Sequence, residues 1–282
     1  FDASFSHIYS FFSITVFIFL TDLIENKNSC LWFHHLALGI LAGIIGAIRN
    51  PNIVILCYYI FYNVTSFQSF KKRLKKILMP TRLLFNLAGL LAGGGLQCVY
   101  WYTATGQFLV RSYDTTETFS WLFPHVIAVL SSVSKGMIFY SPILALALLG
   151  MILLRKYHLS SLSIILTVML HFYITSCWDQ WQYGGSFGQR PFVDFYGLYA
   201  LLLGCMLTFL DSLVMPSTDG KNIRLLNLLM PFLIMLIFWT IKLMLAYWHG
   251  ILPFSDATME NILHAMEWNF DEIRNAICSF KL

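Results

Sequence analysis

Apolar runs long enough to cross a bilayer recur along the whole chain, and no other feature limits its fold as severely. A hydrocarbon core of ~30 Å takes about 20 helical residues. Runs near that length occur at Ile8–Ile24, Leu31–Ile48, Asn52–Phe70, Leu83–Tyr102, Gly136–Leu154, Leu159–Cys177, Val193–Asp211 and Leu225–Trp248. Only 11% of the residues are charged, against roughly a quarter in a soluble domain. The predicted fold is all-α. It is a polytopic transmembrane helical bundle of about eight spans over residues 1–250, followed by an amphipathic tail over 251–282.

Basic residues orient the bundle. With the connector Lys71–Arg82 (KKRLKKILMPTR) taken as cytoplasmic, strict alternation puts Lys27, Lys71, Lys72, Arg73, Lys75, Lys76, Arg82, Arg155, Lys156, Lys221 and Arg224 on that side. Arg49, Arg111, Lys135, Arg190, Arg274 and Lys281 fall on the outer side, and Lys242 lies within the last span. The excess on one side follows the positive-inside rule. Behind a Ser255-Asp256 start signal, Met259, Ile262, Leu263, Met266, Phe270, Ile273 and Ile277 recur at helical spacing. The tail is therefore predicted to be a helix lying on the outer membrane surface. The chain opens on Phe1 with loop-like polar residues and no signal-peptide pattern, so a further N-terminal portion is expected to precede it.

With this topology the unusual residues gather on the outer side. The connector Trp178–Asp194 (WDQWQYGGSFGQRPFVD) is dense in aromatic rings, with two aspartates, three glycines and an arginine. Flat rings and a fixed guanidinium bind sugars and phosphates, and glycine lets a ligand approach the backbone. An aromatic belt with a glycine turn is the alternative. Arg49, flanked by Asn50 and Asn52, lies at the tip of a predicted hairpin of almost uncharged helices, where it either snorkels or meets a ligand. Lys135 opens the fifth span ahead of Tyr140 and Pro142, and the short run Pro124–Ser134 reads as a re-entrant or surface helix.

His125, Asp114 and Glu117 read as solvated loop residues, and His34, His35 and His158 as structural. His171 and Lys242, ionisable within spans, are candidates by position. The six cysteines show no metal-ligand or redox spacing, and no metal is expected. Arg49, Lys135 and Arg190 thus share one predicted face with carboxylates and aromatic rings. Such an arrangement suits an anionic lipid headgroup, for instance a phosphate, carrying a sugar.

Ser6–Phe12 (SHIYSFF), Gly43–Asn52 (GIIGAIRNPN), Lys135–Pro142 (KGMIFYSP) and Trp181–Pro191 (WQYGGSFGQRP) resemble the later part of bacterial GT-C superfamily glycosyltransferases. The branch is that of protein mannosyltransferases and aminoarabinose transferases, and the resemblance runs through short motifs over most of the chain. It implies a multi-pass inner-membrane enzyme that takes a sugar from a polyprenyl-phosphate donor. The sugar would go, with inversion, to a glycan, lipid or protein acceptor on the outer side. The implied general base is an aspartate in the first outer loop. It is expected upstream of this sequence and is not equated with Asp2.

On this reading Arg49, Lys135 and Arg190 hold the donor phosphate, and Trp181 and Tyr183 stack on sugar. Asp179 or Asp194 contacts hydroxyls or orients Arg190, and His7, Asn52, Tyr140 and Ser186 complete the sugar or acceptor site. No cofactor beyond the lipid-linked donor and no nucleic-acid partner is expected. The competing readings are a transporter or flippase of a lipid-linked saccharide and a non-catalytic assembly subunit.

Overall fold

The computed structural model describes residues 6–26, 31–110, 118–157, 159–216 and 222–267. It is mostly helical. In chain order the α-helices are α1 (Ser6–Asn26), α2 (Trp32–Ile48), α3 (Leu56–Ile60), α4 (Phe67–Ile77), α5 (Pro80–Thr105) and α6 (Val126–Ser131). Then follow α7 (Met137–Tyr140), α8 (Ile143–Gly150), α9 (Ser161–Cys177), α10 (Tyr196–Ser212), α11 (Leu225–Trp248) and α12 (Met259–Glu267). One short antiparallel ribbon, β1 (Val214–Pro216) with β2 (Asn222–Arg224), departs from the all-helical expectation.

Among the described residues, four helical segments are long and apolar enough to cross a membrane: Ser6–Asn26, Pro80–Thr105, Arg190–Ser212 and Leu225–Trp248. Their outward surfaces agree with that. In α5, Leu84, Leu91, Leu96 and Val99 are exposed, as are Leu228, Ile234, Met235 and Phe238 in α11. Contiguous apolar surface of this kind is rare on a protein whose solvent is water and ordinary for one whose solvent is lipid.

Two of the eight expected spans are not single helices. The run Asn52–Phe70 forms a 3-10 turn over Asn50–Ile55 and the five-residue α3, and then stops. Asn63 adopts φ 54°, a left-handed conformation that ends helices. Its N–H donates to Ser160 Oγ at 2.6 Å. Ser66 then caps a new helix, α4, accepting from the Ser69 N–H while Ser69 Oγ accepts from Ser66 N–H. The run Gly136–Leu154 breaks between α7 and α8 at Ser141-Pro142, because proline lacks the N–H and crowds the preceding turn.

The chain divides into two compact units. The first comprises Phe1–Thr118, Leu154–Thr175 and Val193–Leu198, and the second Phe119–Leu153, Ser176–Phe192 and Tyr199–Leu282. The first is built on the pairing of α2 with α5. Gly39-Ile40-Leu41-Ala42-Gly43 in α2 faces Gly89-Leu90-Leu91-Ala92-Gly93 in α5. A Cβ on Gly39 would strike the Asn86 carbonyl, and one on Gly89 the Leu36 carbonyl. One on Gly43 or Gly93 would strike the carbonyl of Leu90 or Ile40. Small residues four apart let two backbones touch, which is how helices associate where lipid removes the hydrophobic drive. Gly89→Leu is expected to lower stability by about 3 kcal/mol, since the obstacle is backbone that cannot rotate away. Gly95→Ala in the same helix, where a Cβ meets nothing within 4 Å, should leave the thermal midpoint in detergent unchanged.

The second unit has an aromatic-rich core. Tyr140, Leu243, Ala246, Tyr247, Leu252, Ile262 and Ala265 are buried together. Helix α12 contributes Ile262 and Ala265 to this core, and Lys242 Nζ of α11 donates to the Met266 carbonyl at 2.5 Å. The first turns of the expected tail helix are thus packed on α11, and Lys242 caps α12. The remainder of the tail pattern, Phe270 to Ile277, lies outside the described residues.

Candidate functional site

In the first unit, His7 begins α1, Arg49 follows α2, Asn52 lies in the next 3-10 turn and Asp194 lies just before α10. These residues meet. His7 Nδ1 is 2.7 Å from Asp194 Oδ1, and Asn52 Nδ2 donates to Asp194 Oδ2 at 2.7 Å. Arg49 Nε approaches Oδ2 at 3.7 Å. Arg49 Nη1 lies 2.7 Å from His7 Nε2 and 3.0 Å from Nδ1. The assignment that satisfies both neighbours is a neutral imidazole with its proton on Nδ1, given to Asp194, and a bare Nε2 facing Arg49.

Burial makes this arrangement consequential. Asp194 is fully buried, and Asn52 and His7 nearly so. A carboxylate survives there only with donors on both oxygens. His171, buried in α9, packs its ring 4.1 Å from that of Phe195 and lies within electrostatic reach of Arg49 and His7. Arg49 is the least enclosed member, its side chain 16% accessible. Its Nε and Nη1 are the nitrogens that face Asp194 and His7.

The opposite end of α1 carries a second carboxylate, Glu25, which is not among the sequence candidates. Arg73 Nη1, Lys76 Nζ and Arg82 Nη1 reach it at 2.7, 2.5 and 3.2 Å. The signal that could have found it is a pair of acids, Asp22 and Glu25, closing one apolar run opposite a basic run. From His7 to Glu25 the helix rises about 27 Å at 1.5 Å per residue, close to the ~30 Å of a hydrocarbon core.

The second unit holds most of the aromatic connector. Trp178 bridges to Phe119, Ser120 N–H donates to the Cys177 carbonyl at 2.7 Å, and Ser120 Oγ donates to Asp179 at 2.5 Å. Tyr183 (φ 55°) is buried with its ring 4.5 Å from Trp178, whereas Trp181 remains partly exposed. Gln189 Nε2 closes the loop on the Trp181 carbonyl at 3.0 Å. Ser186 Oγ and Gln189 Oε1 are buried without hydrogen-bond partners among the described residues. Tyr140 is in the aromatic core, 5.2 Å from the Phe187 ring.

Lys135 is 2% exposed. Its ammonium donates to the Ser186 carbonyl and, at 2.7 Å, to that of Phe254, tying two loops together beside the Tyr247 ring. Burial, and then the Arg190 guanidinium, pull its pKa down from 10.5 to about 8, with Asp256 opposing. Below about pH 8 the ammonium is present in folded and unfolded chains alike and its desolvation weighs fully on the fold. As pH rises from about 8 to 10.5 the folded state sheds the proton first, so stability rises. The thermal midpoint of the wild type relative to Lys135→Met should therefore climb across that window. A flat difference would mean that the ammonium is not desolvated.

The sequence candidates fall in both units. His7, Arg49, Asn52 and Asp194 are joined directly. Lys135 and Arg190 share the second unit, and Arg49 belongs to the first. Asp194, expected to contact hydroxyls or orient Arg190, engages His7, Asn52 and Arg49, the donors that surround it where α1, α2 and the start of α10 meet. Among the described residues no group of three His, Cys, Asp or Glu could hold a metal. Comparison with family models, curated proteins and solved structures finds no match to this chain.

Proposed function

We propose that this protein is a multi-pass membrane glycosyltransferase that moves a sugar from a polyprenyl-phosphate donor to an acceptor on the extracytoplasmic side of the inner membrane. The observation that carries the reading is the convergence of His7, Arg49, Asn52 and Asp194 at one end of α1. The departing group in such a reaction is a lipid phosphate, whose oxygens gain charge as the glycosidic bond breaks. A guanidinium already held in place lowers the energy of that state without reorganising. Arg49 has this form: His7 and Asp194 hold two of its nitrogens, and its side chain is 16% accessible.

The placement of charge supports the orientation. Glu25 with its three cations lies at the lysine-rich end of α1, the cytoplasmic end by the positive-inside rule. The site cluster lies at the other end. Asp194 orients Arg49 in this scheme, and the general base is not assigned to any described residue. A transporter of the same saccharide has less support. It would hold polar groups ready at mid-depth, yet Ser163 and Thr167 of α9 bond back to the carbonyls of Ser160 and Ser163.

The test works whichever sugar is carried. Mass spectrometry of surface glycans and lipid-linked sugars in a deletion strain should show one lipid-linked sugar accumulating and one glycan modification lost. Unchanged pools of both would sink the transferase. Accumulation of the donor on the cytoplasmic leaflet alone would point to the flippase.

A further inference from the structure

The basic connector is not a simple cytoplasmic turn. Helix α4 divides its cations between two faces. Arg73 and Lys76 turn inward to Glu25, and Arg73 also donates to the Tyr59 carbonyl and covers the Tyr59 ring at 4.7 Å. Phe70 stacks on Phe61, with ring centroids 5.5 Å apart. These contacts hold one side of α4 against the first unit.

The other side is unpartnered. Phe67 is 70% exposed, Leu78 53% and Met79 52%. Leu74 is also exposed, and Lys71, Lys72 and Lys75 make no ion pair among the described residues. Phe67, Lys71, Leu74 and Leu78 follow one another at spacings of four, three and four, so they share a single stripe. Lys71 Nζ lies 4.7 Å above the Phe67 ring. Where α4 turns into α5, Lys71, Leu74, Lys75, Leu78, Met79 and Pro80 line an open groove of about 480 Å³. That volume is within the ~300–1,000 Å³ that holds an organic ligand.

We propose that this groove seats an anionic phospholipid of the cytoplasmic leaflet. The lysines take the headgroup phosphate, and Leu74, Leu78 and Met79 take the first part of an acyl chain. Two observations choose a lipid over a soluble partner. The groove combines apolar walls with two uncompensated cations, the mixture an interfacial helix presents to an anionic membrane. It also lies at the same end of α1 as Glu25, about one hydrocarbon thickness from His7. Lysine suits this task, because its flexible stem lies along apolar surface while the ammonium reaches the phosphate plane.

The inference rests on the membrane-spanning reading but not on sugar transfer, so the two fail separately. Full-length protein in detergent would be offered phosphatidylglycerol and phosphatidylcholine in equal amounts, and retained lipid counted by native mass spectrometry. Wild type should retain the anionic lipid preferentially. Lys71→Gln/Lys75→Gln should reduce that preference about 25-fold, taking about fivefold for each lysine near a charged surface, and high salt should weaken it further. Lys72→Gln, outside the groove, should change it little. Equal retention of the two lipids by the wild type, or an unchanged preference in the double variant, would overturn the assignment. So would displacement of the lipid by an acidic peptide at similar concentration.

Discussion

Asp194→Ala should be the most damaging single truncation in the first unit, at about 3–5 kcal/mol, the usual penalty for removing one partner of a buried ion pair. The carboxylate is fully buried and takes hydrogen bonds from His7 and Asn52 with Arg49 beside it. Its removal strands the buried His7 ring N–H and Asn52 amide and takes the counter-charge from Arg49. Asp194→Asn should be milder, at about 1–2 kcal/mol. Asn52 can turn its amide to present oxygen to the new NH2, and only the counter-charge to Arg49 is lost. Arg49→Met/Asp194→Ala should be more stable than Asp194→Ala alone, because no uncompensated charge remains. The thermal midpoint in detergent reports these differences. Equal midpoints for wild type and Asp194→Ala would mean that the cluster does not hold the fold.

Under the proposed function, Arg49→Gln should lower sugar transfer about 10²–10³-fold, the range for removing one pre-positioned donor from a developing oxyanion. The readout is restoration of the missing glycan when the variant is returned to the deletion strain, normalised to folded protein in the membrane. Arg49→Lys should recover only part of the loss, since an ammonium is a point charge and cannot span His7, Asp194 and a phosphate together. The stability and activity arms are separable. Asp194→Asn keeps most of the fold but loosens Arg49, so it should reduce transfer more than it reduces the amount of folded protein. Full transfer by Arg49→Gln would remove the guanidinium from the chemistry and leave it a structural ion.

The order of apolar runs could be read directly, because a lipid-facing helix must be continuous and apolar for a known length. Leu225–Trp248 was expected with the ends that α11 has, and Leu31–Ile48 differs from α2 by a single residue. Asn52–Phe70 misled. It is apolar enough to pass for a span, and the helix ends through the left-handed turn at Asn63 and the Ser66 cap, features that hydropathy alone passes over. The Gly39/Gly43 and Gly89/Gly93 pairs were legible as small residues four apart, but not their mutual contact.

For the site, the sequence determined which residues stand at the ends of apolar runs, and the tertiary structure determined their partners. A layered solvent makes position along a helix axis a strong constraint, so the end of a span at which His7, Arg49 or Asp194 falls follows from counting residues. Lateral neighbours carry no such signal. His7 and Asp194 are 187 residues apart, and Asn52 and Asp194 142. They meet only because particular helix faces pack. That choice rests on close-range fit, such as the bare backbone contact of α2 with α5, which depends on both surfaces at once and is written in neither alone.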